Sequence, residues 1–166
     1  MKYIGYWFTG LILFFYAPLA MTPAEWLWYD PGIPTFSDTV YGEPVSVYFT
    51  RDIKTETFAS YATVLRNAGD GEPVCDGFGG PFEYKPTHGP KAIVDKNFHW
   101  WMGKSSCPDQ LLPGTYSVET TWLVRRPLGD YLPESFSQML GWIIPAKTVT
   151  RISPVFTVAP AKEISQ

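Results

Sequence analysis

The chain has 166 residues, of which 45% are hydrophobic and 17% charged, a size and balance that provide one globular domain with a core and leave no room for a second. A net charge of −3 offers no cluster of Lys and Arg to displace counterions from phosphate, so nucleic acid is excluded as a partner. Sixteen prolines and 14 glycines beside 17% aromatic residues favour short strands punctuated by turns, and the expected class is mostly β.

The first element is an apolar N-terminal helix. After Lys2, the run from Tyr3 to Met21 carries no charge and centres on Leu11-Ile12-Leu13-Phe14-Phe15. Glu25, Asp30, Asp38 and Glu43 all precede Arg51, so Lys2 is the only early positive side chain, and the positive-inside rule directs the rest of the chain out of the cytoplasm. Residues 1–24 therefore read as a signal peptide or a membrane anchor. Tyr3, Tyr6, Trp7 and Tyr16 suit the interfaces of a retained span. A signal peptidase would find small residues at Thr22 and Ala24, or a site after Ala20 with Pro18 awkwardly close. The expected location is periplasmic, secreted or membrane-anchored with the C-terminal domain outside.

Residues 25–34 form a lead-in rich in Pro and aromatics, with Trp26, Trp28 and Tyr29, that serves as a tether or a first edge segment. A domain over 35–160 follows, with a tail over 161–166. Val45 to Arg51 alternates as a half-buried strand with Val45, Val47 and Phe49 on one face. Thr57 to Leu65 behaves likewise, with Ala59, Tyr61, Thr63 and Leu65 opposite Phe58, Ser60, Ala62 and Val64. The stretch from Asn67 to Pro90 is full of turn chemistry and is expected to be a long loop region. Its Gly77-Phe78-Gly79-Gly80-Pro81 lacks the Lys-Ser/Thr pair of a phosphate loop, and its glycines are assigned to positive-φ turns. Ala92 to Met102, with Trp100 and Trp101, is expected to be a strand leading towards Cys107.

In an exported domain, the even pair Cys75 and Cys107 is expected to oxidise. Closing that loop removes about 3.5 to 4 kcal/mol of unfolded-chain entropy. A zinc site formed with His88 and His99 lacks the close paired ligand spacing of structural zinc motifs, and no metal or other cofactor is expected.

Leu111-Leu112-Pro113-Gly114-Thr115-Tyr116-Ser117-Val118-Glu119-Thr120-Thr121-Trp122 combines a Pro-Gly turn with strict alternation. It resembles the turn-plus-strand of immunoglobulin-like and fibronectin type III-like β-sandwiches, in which a Tyr just after the corner anchors a central strand. That resemblance implies an antiparallel immunoglobulin-like β-sandwich. The cysteines depart from the antibody pattern, lying before the Pro-Gly turn and in the Gly-rich stretch, so their bridge is expected to staple loops and not the two sheets. Thr148 to Val158 supplies a closing strand, with Pro154 at an edge or bulge. Between them, residues 125–145 form an insertion with Phe136, Met139, Leu140, Trp142, Ile143 and Ile144 as a short helix or apolar flap.

Chemistry is sparse. No nucleophile elbow is present, and Asp52, Glu56, Asp76, Asp95 and Glu119 supply no distinctive carboxylate pair. The aromatics are more informative: neighbouring Trp100 and Trp101 must face opposite ways on a strand, so one of them points away from the core. Trp100, Trp101 and Trp142, with Arg125 and Arg126 at a strand end, form the candidate binding surface for a protein or glycan outside the cytoplasm. The expected function is a non-enzymatic interaction or structural module of a cell envelope or phage-related structure. The rival readings are an inhibitor of an extracytoplasmic enzyme, and a small hydrolase pairing His88 or His99 with a carboxylate.

Overall fold

The computed structural model describes residues 2–125 and 146–161. In chain order these form α1 (Lys2–Met21), α2 (Ala24–Leu27), β1 (Tyr29–Asp30), β2 (Thr35–Phe36), β3 (Thr39–Val40), β4 (Ser46–Ile53) and β5 (Thr57–Asn67). There follow β6 (Pro73–Tyr84), β7 (Lys91–Asn97), α3 (Phe98–Met102), β8 (Lys104–Ser105), β9 (Gly114–Arg125), β10 (Lys147–Ile152) and β11 (Phe156–Ala159). The chain is mostly β.

The two strongest alternating segments become the centre of the larger sheet. β5 and β9 pair antiparallel from Phe58↔Arg125 to Asn67↔Tyr116. Along β9, Tyr116, Val118, Thr120, Trp122 and Val124 are all buried, as period-two alternation requires of a strand with one face on the core. Its far edge is shared by β10, opposite Glu119 to Val124, and by β11, opposite Gly114 to Tyr116. The expected closing strand is thus two strands. Between them Pro154 has no N–H to give, and Ser153 keeps β9 paired instead: its N–H donates to the Val118 carbonyl, and its Oγ accepts from the Val118 N–H at 2.9 Å.

β3 joins β11 in parallel, so this sheet is mixed and not purely antiparallel as expected; a two-residue strand leaves too little pattern to read. In the smaller sheet β4 pairs with β1, β2 and β7. One core serves both sheets, with Phe36 of β2 stacked on Phe156 of β11 at 5.1 Å. Each large side chain enclosed there contributes about 1.5 to 3 kcal/mol.

Three expectations are corrected. Much of the supposed loop from Asn67 to Pro90 is β6, a 12-residue strand paired with β5. Its glycines are strand positions where neighbours approach closely: a Cβ on Gly77 would meet the Met102 carbonyl at 2.2 Å, and one on Gly79 the Tyr61 ring at 2.5 Å. Of that group only Gly80 has positive φ. The expected strand from Ala92 to Met102 is instead β7 followed by helix α3. Asn97 accepts from the Trp100 N–H at 2.7 Å and so caps the helix, while Gly103, at φ 66°, ends it. Finally, Cys75 lies in β6 and not in a loop, so the Cys75–Cys107 disulfide joins a strand of the larger sheet to the segment after β8. It does not bridge the two sheets.

The lead-in is part of the folded body, since Trp28 and Tyr29 are buried while Trp26 stands exposed. α1 is a 20-residue helix whose Trp7, Leu11, Leu13 and Phe14 are exposed. Among the described residues no helix is long and apolar enough to cross a membrane. The expected apolar flap, with Trp142, and Arg126 lie outside the described residues.

Candidate functional site

Where the two sheets part, a cleft of about 710 Å³ opens between β4 and β6, with α3 as its end wall. Its formation follows from local sequence. Val45, Val47 and Phe49 set the inward face of β4, and the same period of two carries Arg51 onto that face, where the sheet no longer covers it. Gly79 leaves space for the Tyr61 ring to lie across β6, stacked with Phe82 at 6.1 Å. Successive helical residues diverge by about 100°, so α3 separates its tryptophans. Trp101 turns inward, 4% exposed, and its indole N–H donates to Thr120 Oγ1 at 3.1 Å. It packs on Phe49 at 4.7 Å and Trp122 at 5.7 Å, joining the sheets at the cleft floor. Trp100 turns outward, 48% exposed, stacked on Phe49 with Lys96 above its ring. The expected division of this pair is therefore present, produced by a helix and not by a strand.

The polar part of the cleft centres on Arg51. Its guanidinium lies over the Tyr84 ring at 5.3 Å, and its Nε is buried without a hydrogen-bond partner. Among the described residues it has no ion pair. Tyr84 stacks on Tyr29 at 5.1 Å. Burial pushes the Tyr29 phenol far above its usual pKa; Tyr84 adds to the shift and Arg51 opposes it. Burial also raises Tyr84, against the pull of Arg51 and then of the neighbouring Tyr29 hydroxyl. Tyr61 is raised by burial and then by Tyr84. These phenols stay neutral and serve as rigid ring walls. Glu83, His99 and Lys104 complete the polar lining.

Comparison with protein-family models and with curated proteins finds no match for this chain.

Of the residues singled out in the sequence, Trp100 and Trp101 line this cleft. Arg125 ends β9 exposed, opposite Phe58, and does not line it. His99 stands at the cleft, but its Nε2 contacts the Asp109 backbone carbonyl at 3.0 Å and not a carboxylate. His88 lies apart from it, in the turn before β7. Two of the candidate carboxylates have structural partners: Asp76 accepts from Ser106 Oγ at 2.6 Å beside the disulfide, and Glu119 pairs with Arg66 at 3.0 Å. Among the described residues no group of three or more His, Cys, Asp or Glu is gathered for a metal.

Sequence reasoning missed Arg51, Tyr61, Phe82 and Tyr84 as site residues. For Arg51 the signal was present, since it continues the Val45-Val47-Phe49 face; a cation on a core-facing register asks for a reason. For Phe82 and Tyr84 it was hidden, because glycines and Pro81 masked the strand that bears them.

Proposed function

We propose that this chain is an extracytoplasmic binding module, an immunoglobulin-like sandwich held at a membrane by α1, with the aromatic cleft as its binding surface. The sandwich reading is supported by the Tyr116 hydroxyl, which donates to the Leu112 carbonyl at 2.8 Å across the Pro113-Gly114 turn, the geometry of a tyrosine corner. The disulfide is compatible with an oxidising compartment. The anchor reading is supported by the exposure of Trp7, Leu11 and Leu13 on α1.

The observation that carries the binding role is the set of rings at the cleft mouth. Phe78 is 55%, Phe82 45% and Trp100 48% exposed, contiguous with a floor that is fully packed. Exposed rings around a preformed concavity, with the half-buried Arg51 in its wall, form a recognition surface with few polar contacts to fix orientation. No observation favours the hydrolase, because His99 is engaged by a main-chain carbonyl.

The test is a binding screen of the full chain in detergent against glycans and peptides, read by tryptophan fluorescence. A ligand of the cleft should perturb emission and lose at least about tenfold in affinity on Trp100→Ala or Phe82→Ala, the cost of removing a ring at the centre of a contact. Binding untouched by both substitutions would move the function to another surface.

A further inference from the structure

We propose that the ligand of this cleft is a glycan whose sugar rings carry carboxylates, a polyuronate-type chain, with Arg51 as the carboxylate receptor and Trp100 and Phe82 as ring platforms. The inference rests on the binding role proposed above and narrows it to a chemical class.

The charge pattern selects an anion of low charge density. In a chain of net charge −3, the cleft lining gathers Arg51 and Lys104 against Glu83, and Lys96 sits above the Trp100 ring at its mouth. The Arg51 guanidinium lines the cleft with no ion pair among the described residues, and its planar fork matches a carboxylate in two parallel hydrogen bonds. Tyr84 occupies one face of that guanidinium, which fixes its plane and reduces the entropy lost on binding. Glu83 on the same wall opposes a polysulfated or multiply phosphorylated ligand, while one carboxylate per ring is matched by one Arg.

The walls select rings over an extended peptide strand. Among the described residues no strand continues beyond Phe78 the pairing that β8 begins on β6, but Pro81 interrupts that edge with a residue that cannot donate. Strand addition is thereby weakened along the stretch that borders the cleft. Phe78, Phe82 and Trp100 are instead exposed at the cleft mouth, aromatic surface of the kind that packs against the C–H faces of pyranose rings. The cavity of about 710 Å³ has the size of a site for a few rings and not for a single small anion.

The experiment is calorimetric titration of the full chain in detergent with oligogalacturonate, its fully methyl-esterified form and a neutral cello-oligosaccharide. Oligogalacturonate should bind, with the ester and the neutral chain at least tenfold weaker. Arg51→Gln should remove that difference, and Trp100→Ala should weaken all three. The comparison of acid with ester uses the unaltered protein, so it stands even if a variant fails to fold. Equal affinity for acid and ester would overturn the carboxylate assignment while leaving the cleft as a glycan site. Failure of every sugar, with a peptide from the broader screen bound in a Trp100-dependent way, would overturn the glycan class and leave the binding role intact. No cleft-dependent ligand of any kind would overturn both.

Discussion

Tyr29 shows how one side chain links the core to the cleft. It is 2% exposed, stacks on Tyr84, and through Tyr84 supports the ring on which Arg51 rests. Its raised pKa has a defined thermodynamic sign. An unfolded tyrosine loses its proton near pH 10, whereas folded Tyr29 holds it, so above that pH the folded state binds more protons and stability falls. The contribution is present in full below pH about 10 and is lost as the pH climbs towards the folded value. Alkaline unfolding followed by circular dichroism should therefore begin above pH about 10, and Tyr29→Phe should flatten that fall. An unchanged alkaline limb in the variant would contradict this role. At this scale the sequence was partly legible. Alternation placed Val47, Phe49 and Leu65 correctly, but nothing local could place Tyr29, whose partner Tyr84 is far along the chain.

β6 is the element whose character decides the site. A strand with three glycines is weak by its own propensity and holds here because β5 pairs along it and α3 closes over Gly77. Gly79→Ala should force the Tyr61 ring from the cleft wall and cost about 1 to 3 kcal/mol, as other overpacking changes do. Urea denaturation checks the loss, and weaker ligand binding by the variant checks the geometry. The disulfide acts on the same element. Cys75 and Cys107 are 32 positions apart, and replacing both with Ser should lower stability by about 3.5 to 4 kcal/mol in the loop-entropy model. A denaturation midpoint unchanged by reductant would contradict that figure. Glycines, Pro81 and turn residues made this stretch resemble a loop in the sequence, because single-residue signals say nothing of a neighbouring strand that overrides them.

At the scale of the molecule, the junction of α1 with the domain is built into the fold. Lys147 Nζ donates to the carbonyls of Ala20 and Thr22, Lys54 Nζ to that of Glu25 at 2.6 Å, and Arg151 bonds Glu25 and Asp30, each at 3.2 Å. Burial lowers the Lys147 pKa and Glu25 opposes the shift, so this ammonium depends on the carbonyls it meets. Ala24 is 2% exposed, and its carbonyl accepts from the Trp28 N–H at 2.8 Å. A chain cut after Ala24 would lose the carbonyls that meet Lys147 and the Trp28 N–H, while the bonds of Lys54 and Arg151 to Glu25 and Asp30 would remain. We therefore expect intact mass measurement of the protein from a membrane fraction to retain residues 2–21. A mature chain beginning at Glu25 would show that the helix is only an address.

Two properties followed from the sequence alone: a helix at the start of the chain, though not one long and apolar enough to cross a membrane, and the strands over 45–51, 57–65 and 114–124. Both depend on repeating local patterns, a continuous apolar run in one case and a period of two against a single buried face in the other. Tertiary structure alone decided the parallel docking of β3, the division of β9's edge between β10 and β11, the strand identity of β6 and the position of the cleft. Each depends on which distant segments pair. The cleft in particular joins Arg51, Phe82 and Trp100, three residues on different elements that share no local pattern and meet only because two sheets part beside a short capped helix.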